Sequence, residues 1–231
     1  MIQAILFDID NTLTDFMRMK RAAVDAAVET MIDAGLDVEK TAMADKIFEV
    51  YWKDGVEDQK IFDKVLLQEF GRVDYRILAA GITGYRRAKA GALTPYPHVK
   101  MTLTELTRLG LRLGVISDAP KLEVWLRIVG LDLHNYFQHV VTSQDYGVHK
   151  PDPLPFRKAL ELLEAEPGES LMVGDWAERD IAGAKGLGIR TAWAKYGDTH
   201  GVKDSGADYV LEDILDLLDV VKKENALGAR S

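Results

Sequence analysis

Apolar residues in this chain form short runs that predict buried strands and longer stretches that have helical spacing. The first run, residues 4–7, is too short for a helix and is typical of a strand that is buried on both faces. From residue 98 onward, helical stretches alternate with short apolar runs at 111–116, 139–142, 171–173, 191–193 and 209–211. We predict helices between these runs at 98–109, 121–129, 154–164 and 178–187, and a last one at 213–223. This alternation predicts an α/β fold, in which a parallel sheet carries helices on both faces.

The segment between the first strand and the second has a different pattern. Residues 17–90 contain four stretches with helical spacing, and the first three of them end at Gly35, Gly55 and Gly71. Two prolines in residues 93–97 disfavour helix and favour an extended crossing. We therefore predict a four-helix unit inserted into the α/β core, with the inserted unit at 16–92 and the core at 1–15 and 93–231.

Composition narrows the classes of protein to which the chain can belong. Its 231 residues are 47% hydrophobic and 29% charged, which is typical of a globular protein with a real core. A net charge of −8 argues against nucleic-acid binding, which needs a basic face. The absence of cysteine excludes disulfides, thiolate nucleophiles and cysteine-based zinc sites. The chain has neither a signal-peptide pattern at its start nor an apolar stretch long enough for a membrane span, so we expect a cytoplasmic protein. We expect a monomer or a homodimer.

Two acidic residues directly follow the first predicted strand. Asp8 and Asp10 are two residues apart, so they project to the same side of an extended chain. Such a pair can divide the work of phosphoryl transfer, because one carboxylate attacks phosphorus while the other moves protons for the leaving group and for water. A solvated acidic loop explains this pair about as well, when it is considered without the rest of the chain.

A second acidic pair follows the run at 171–173. Several carboxylates facing a phosphate repel it unless a cation lies between them, and Mg²⁺ prefers oxygen ligands. Asp175, which follows this run after a glycine, is the natural second metal ligand. Asp180 either holds a metal-bound water or orients Asp175, or it only complements the dipole of the helix that begins there.

Two further residues lie where they can bind a phosphate. Ser117 ends the second predicted strand just before a helix, so its hydroxyl and the nearby amides can bind phosphate oxygens. Lys150 brings a positive charge and is followed by Pro151, which stiffens its loop. The plainer alternatives are a helix cap for the serine and a solvated side chain for the lysine.

Read together, these residues resemble the four signature motifs of the haloacid dehalogenase-like hydrolase superfamily, and the resemblance spans the whole chain. The sequence Asp-Ile-Asp-Asn-Thr at residues 8–12 is similar to the Asp-x-Asp-x-Thr motif of that family. The other three motifs are matched by Ser117, by Lys150, and by Gly174-Asp175 with Asp180. The resemblance implies a Rossmann-like core and identifies the inserted helical unit as the family's cap.

The resemblance also implies a role for each motif residue. Asp8 would be the nucleophile and Asp10 the general acid and base. The cofactor Mg²⁺ would be held by Asp8, by the Asp10 backbone carbonyl and by Asp175, with Asp180 in support. Phosphate would be bound by Ser117 and Lys150, and we expect the adjacent residues Asn11 and Asp118 to contribute. The expected substrate is a small phosphorylated metabolite.

A difference between this chain and one branch of the superfamily favours a phosphatase. Members that cleave carbon–halogen bonds lack the second aspartate of the first motif and the Gly-Asp pair of the fourth, whereas this chain has Asp10 and Asp175. We therefore predict a magnesium-dependent phosphatase that acts on phosphate monoesters through an aspartyl-phosphate. A 2-haloacid dehalogenase, a phosphomutase and a non-catalytic module that binds phosphate or a partner remain as alternatives.

Overall fold

The structure is a computed structural model, and it describes residues 1–228. It divides into two compact units. One unit contains residues 1–15 together with the described residues from 94 onward, and the other contains residues 16–93.

The second unit consists of four helices. They are α1 (Phe16–Asp33), α2 (Lys40–Asp54), α3 (Ile61–Phe70) and α4 (Tyr75–Ala92). Their apolar faces pack into one core that includes Val28, Ile47, Val65 and Leu78. The inserted all-α unit that the helical spacing predicted is therefore confirmed.

The first unit contains a sheet of six strands, all paired in parallel. The strands are β1 (Ala4–Phe7), β2 (Arg112–Ser117), β3 (His139–Thr142), β4 (Ser170–Gly174), β5 (Arg190–Ala194) and β6 (Tyr209–Leu211). Their order across the sheet is β3-β2-β1-β4-β5-β6. Every residue of β1 is buried, as expected for a central strand. The predicted α/β fold class is confirmed.

The helices of this unit are α5 (Val99–Arg108), α6 (Lys121–Gly130), α7 (Ser143–Tyr146), α8 (Pro153–Leu162), α9 (Ala182–Lys185) and α10 (Asp216–Gly228). The single α-helix predicted at 178–187 is wrong, because the chain forms a π-helix at Ala177–Ile181 before α9. Wide turns of this kind occur frequently at functional sites. Here the Asp180 carboxylate accepts a hydrogen bond from the Trp176 amide at 3.0 Å.

The chain end also differs from the sequence-based expectation. The predicted helix at 213–223 begins later, because Asp216 first accepts hydrogen bonds from the amides of Glu212 and Asp213. The helix α10 also ends later than predicted, since it continues to Gly228, and residues 229–231 lie outside the described part of the chain. Within that described part, no helix has the length and apolar character needed to cross a bilayer.

Candidate active site

The four motifs meet at the carboxyl end of the sheet because of the strand register. Phe7 at the end of β1 pairs with Val115 on one side and with Val173 on the other. The next residue, Asp8, donates its amide to the Val173 carbonyl at 2.9 Å. The strands β2 and β3 lie on one side of β1, and β4, β5 and β6 lie on the other. The strand order therefore reverses beside β1, where these carboxyl ends meet. Open parallel sheets bind their ligands at such points.

A buried ion-pair network occupies this edge. Lys150 Nζ lies 2.6 Å from Asp8 Oδ1 and 2.7 Å from Asp180 Oδ1. It also donates a hydrogen bond to the Ile116 carbonyl at 3.1 Å. The lysine side chain is only 3% exposed. Burial alone would lower the pKa of Lys150, but the carboxylates of Asp180 and Asp8 outweigh burial and raise it. The lysine is therefore held as a fixed positive charge.

Three carboxylates converge beside this lysine. Ligand atoms of Asp8, Asp175 and Asp180 all lie within 4.8 Å of one another, and all three residues are buried. Burial raises the pKa of Asp8 to about 8 despite the nearby Lys150. Burial and the charge of Asp8 likewise raise the pKa of Asp175. The raised pKa values indicate that the ammonium group of Lys150 alone does not neutralise the negative charge of the three carboxylates.

The donor set of this cluster fits Mg²⁺. The ligand atoms are carboxylate oxygens, which hard divalent cations prefer. A bound cation would also stabilise the ionised form of each carboxyl group, which burial disfavours. The cluster includes Asp180, to which the sequence assigned only a supporting place. It does not include the carboxylate of Asp10, for which the resemblance implied only backbone coordination.

Asp10 has a different environment from that of Asp8. Its Oδ2 atom accepts a hydrogen bond from Arg127 Nη1 at 2.9 Å. Its side chain is 22% exposed, whereas that of Asp8 is 11% exposed. The two acids of the first motif are therefore bound to different cations, Lys150 and Arg127.

The predicted phosphate-binding residues surround the same strand ends. The Ser117 hydroxyl is buried and accepts a hydrogen bond from the Ala119 amide at 3.2 Å. The Asp118 carboxylate accepts hydrogen bonds from the Lys150 amide at 2.9 Å and from Arg179 at 3.1 Å. That carboxylate therefore links the segments that contain Lys150 and Arg179, and phosphate binding by Asp118 stays a prediction. Asn11 is buried and has a left-handed φ of 59°, which asparagine tolerates better than most residues.

The fourth motif has a glycine at position 174 because there is no room for a side chain. A Cβ atom at Gly174 would lie 2.4 Å from Asp180 Cγ, closer than any real contact. The absence of a side chain at this position lets the Asp180 carboxylate reach Lys150. Gly197 is likewise in close contact with the first motif, because a Cβ atom there would lie 1.6 Å from the Asn11 carbonyl oxygen.

Four residues hold the motif residues in place; sequence reasoning included Thr12 in the first motif without giving it a role, and it missed the other three. Thr12 Oγ1 donates to Asp175 Oδ1 at 3.1 Å, and Trp193 Nε1 donates to the Asp175 carbonyl at 2.7 Å. Tyr196 Oη donates to the Thr12 carbonyl at 2.8 Å. The fourth residue is Arg127. Its charge at a helix position that spacing predicts to be buried, three residues after Val124, was the one signal that could have identified it.

Comparison with known proteins agrees with this geometry. Residues 2–188 match the family of haloacid dehalogenase-like hydrolases. The chain is 35% identical to the glyceraldehyde 3-phosphate phosphatase of Methanocaldococcus jannaschii, over 96% of this chain and 98% of that protein. It is 34% identical to the glyceraldehyde 3-phosphate phosphatase of Pyrococcus furiosus, over 97% of this chain and 95% of that protein.

Solved structures share the same fold. The crystal structure of a HAD phosphatase from Thermococcus onnurineus superposes with a TM-score of 0.71 at 24% identity. The match covers 95% of this chain and 98% of that one. The match over residues 2–188 and the full-length relatives lead to one conclusion, that the chain belongs to the haloacid dehalogenase-like hydrolase family.

Proposed function

We propose that this protein is a magnesium-dependent phosphatase that hydrolyses a small phosphate monoester through an aspartyl-phosphate on Asp8. The observation that carries the proposal is the buried cluster in which Lys150 contacts both Asp8 and Asp180 beside Asp175. In this proposal the nucleophile, a fixed cation and the oxygen ligands for a metal all lie at the carboxyl end of the sheet.

The first half of the reaction transfers the phosphoryl group to the enzyme. A carboxylate oxygen of Asp8 attacks phosphorus, and the bond between phosphorus and the ester oxygen breaks. The carboxylic acid of Asp10 donates its proton to the departing oxygen, so the product leaves as an alcohol. Lys150 stays protonated and offsets the negative charge of the phosphoryl group.

The second half restores the enzyme. Asp10, now a carboxylate, removes a proton from a water molecule that attacks phosphorus. The bond between phosphorus and Asp8 breaks, inorganic phosphate leaves, and Asp8 is a carboxylate again. Asp10 keeps the proton and is ready for the next ester.

Asp8, Asp175 and Asp180 would hold Mg²⁺ directly or through water, together with the Asp10 backbone carbonyl. When bound, the ion screens the carboxylates from the phosphate and polarises phosphoryl oxygens as a Lewis acid. Ser117 and the amides that follow β2 are suited to bind the remaining phosphoryl oxygens. Thr12 and Trp193 keep Asp175 in position through their hydrogen bonds.

We propose glyceraldehyde 3-phosphate as the substrate, and small phosphorylated sugars as the wider class. The full-length relatives in Methanocaldococcus jannaschii and Pyrococcus furiosus are glyceraldehyde 3-phosphate phosphatases. In this proposal the unit of residues 1–15 and 94 onward is the catalytic core, and residues 16–93 are the cap. A cytoplasmic location, and a state of monomer or homodimer, stay predictions.

The competing reactions differ in their products. A dehalogenase attacks carbon and expels halide, which needs neither an acid such as Asp10 nor a metal. A phosphomutase moves phosphate between two positions of a sugar without net release. A binding module holds phosphate without turnover. Purified protein with magnesium should therefore release phosphate from glyceraldehyde 3-phosphate and release no halide from a 2-haloacid.

Two controls test whether the release of phosphate depends on this site. Asp8→Asn should abolish turnover while leaving the circular dichroism spectrum unchanged. A chelator should silence the wild-type enzyme, and magnesium should restore it. Near wild-type turnover in folded Asp8→Asn, or full activity in metal-free buffer, would contradict the proposal.

A further inference from the structure

Arg127 is the only buried arginine among the described residues, with 1% of its side chain exposed. It lies in the last turn of α6, the helix that follows the Ser117 loop. Its neighbours at buried positions of the helix, Val124 and Ile128, are apolar, so packing alone would favour an apolar residue here. A buried guanidinium is costly unless it is paired, and this one is paired with Asp10.

We propose that Arg127 is a positioning residue, which fixes the carboxyl group of Asp10 for both of its proton transfers. The inference rests on the proposed function, in which Asp10 is the general acid and base. It is carried by the 2.9 Å contact between Arg127 Nη1 and Asp10 Oδ2.

The chemistry of arginine gives this contact a direction. A guanidinium has only donors, so Asp10 Oδ2 must act as an acceptor in the contact. Because the carbonyl oxygen of a carboxylic acid is its better acceptor, the contact favours Oδ1 as the oxygen that carries the proton of Asp10. The planar guanidinium also restricts rotation of the carboxyl group, which the flexible ammonium group of a lysine does less well. Arg127 would thus select which oxygen of Asp10 faces the leaving group and the attacking water.

The arrangement also gives each acid of the first motif its own cationic partner. Asp8 must act as a nucleophile, and its Oδ1 is bound to Lys150 at 2.6 Å. Asp10 must exchange a proton, and it is bound to a cation that does not titrate in proteins. Because Lys150 and Arg127 approach from different elements, each acid is oriented independently of the other.

A double-mutant cycle on turnover tests this inference. Arg127→Met keeps an unbranched apolar stem but removes the donors. We expect its kcat to fall about 10- to 100-fold, the scale that misplacement of a catalytic group can cost. The KM for the phosphate ester should change by less than about threefold, since transition-state geometry and not substrate binding is affected. Arg127→Lys should recover part of the lost kcat.

Coupling distinguishes positioning from a general structural role. If Arg127 acts through Asp10, adding Arg127→Met to Asp10→Asn should cause little further loss of kcat. Losses that multiply in the double variant would overturn the inference. Val124→Ala is the matched control, because it removes buried volume from the same helix but no hydrogen-bond donor from Asp10. It should lower the Tm while leaving kcat unchanged below that temperature.

A crystal structure of Arg127→Met supplies a readout that does not depend on activity. We expect the Asp10 carboxyl group to leave its present orientation or to adopt several. An unmoved carboxyl group would overturn the inference, even if the wild-type enzyme hydrolysed no ester. Absence of turnover in the wild type would contradict only the proposed function. Wild-type kcat in Arg127→Met, with turnover still dependent on Asp8, would contradict only the positioning role.

Discussion

Each of the two compact units contains one buried lysine among its described residues, and the two lysines have different partners. Lys150, in the unit with the sheet, lies between the carboxylates of Asp8 and Asp180. Lys20, in the helical unit, has its Nζ 4.3 Å from the ring centre of Tyr51 and 5.5 Å from that of Tyr85. Phe16 provides a third ring at 5.7 Å.

The difference shows how partner chemistry separates a reactive site from a packed interior. The three aromatic rings around Lys20 attract its cation weakly and bring no charge of their own. Carboxylates around Lys150 outnumber it, and burial makes their ionised forms costly. A site of this second kind is completed by a cation and an anionic substrate, and this makes it suited to phosphoryl transfer.

Removing the ammonium at position 150 should have the largest effect. We expect Lys150→Met to lower kcat by about 10²–10³-fold or more, the usual cost of losing one group that stabilises transition-state charge. In metal-free buffer its free energy of unfolding should fall by about 3–5 kcal/mol, because Asp8 and Asp180 stay buried without their partner. Steady-state assays and denaturant titrations measure the two effects.

Lys121→Met is the matched control for this substitution. Lys121 Nζ also pairs with a carboxylate, Asp145, at 2.6 Å, but its side chain is 52% exposed. Its loss should cost less than about 1 kcal/mol and leave turnover unchanged. Similar effects of both substitutions would contradict the special status of the buried lysine.

Gly174→Ala tests the geometry of the carboxylates around Lys150. The new Cβ would lie 2.4 Å from Asp180 Cγ, so Asp180 must move away from the lysine. We expect kcat to fall at least tenfold and the free energy of unfolding to fall by about 1–3 kcal/mol, the usual cost of overpacking. Gly168→Ala adds the same methyl group where nothing lies within 4 Å, and it should behave like the wild type. Equal kcat values in both variants would show that the Asp180 position does not matter.

The sequence was sufficient to predict that the motif residues lie close together, for a simple reason. Asp8 and Ser117 directly follow short apolar runs, Asp175 follows one after a single glycine, and parallel strands bring such ends to the same end of the sheet. Their convergence is thus a consequence of fold class. The helical unit could also be predicted, since helical spacing is a local signal that glycines interrupt.

Residues that act across the fold could not be predicted in the same way. The contact of Arg127 with Asp10 joins positions 117 residues apart, and that of Tyr196 with Thr12 joins positions 184 apart. Only the register of the sheet and the packing of α6 bring these atoms together. The π-helix at Ala177–Ile181 was missed because the bond that Asp180 makes to a preceding amide is invisible to helical spacing.

The pH dependence of stability tests whether Lys150 alone compensates the cluster. Burial raises the pKa of Asp8 to about 8, whereas an unfolded aspartate has a pKa of about 4. Between these values the folded protein binds more protons than the unfolded chain, so the Tm of metal-free protein should fall as pH rises. The raised pKa of Lys150 adds no slope in this window, because the lysine is protonated in both states.

Two comparisons check the origin of this slope. Magnesium should flatten it, since a bound cation stabilises the ionised carboxylates. Asp8→Asn should also flatten it in the absence of metal. A Tm that rises between about pH 4 and 8 in metal-free wild-type protein would contradict the buried carboxyl groups as the source.

The smallest effect is expected at the lysine of the helical unit. Lys20→Met keeps a long flexible side chain among the three rings and replaces the cation with a thioether, which also makes favourable contacts with aromatic rings. The lost cation–π attraction is about 0.5–2 kcal/mol, and the gained sulfur–ring contacts and easier burial offset part of it. We therefore expect the exchange of ring contacts to change the free energy of unfolding by less than about 1 kcal/mol. A loss as large as that of Lys150→Met would show that Lys20 also compensates buried negative charge, and the contrast between the two units would then fail.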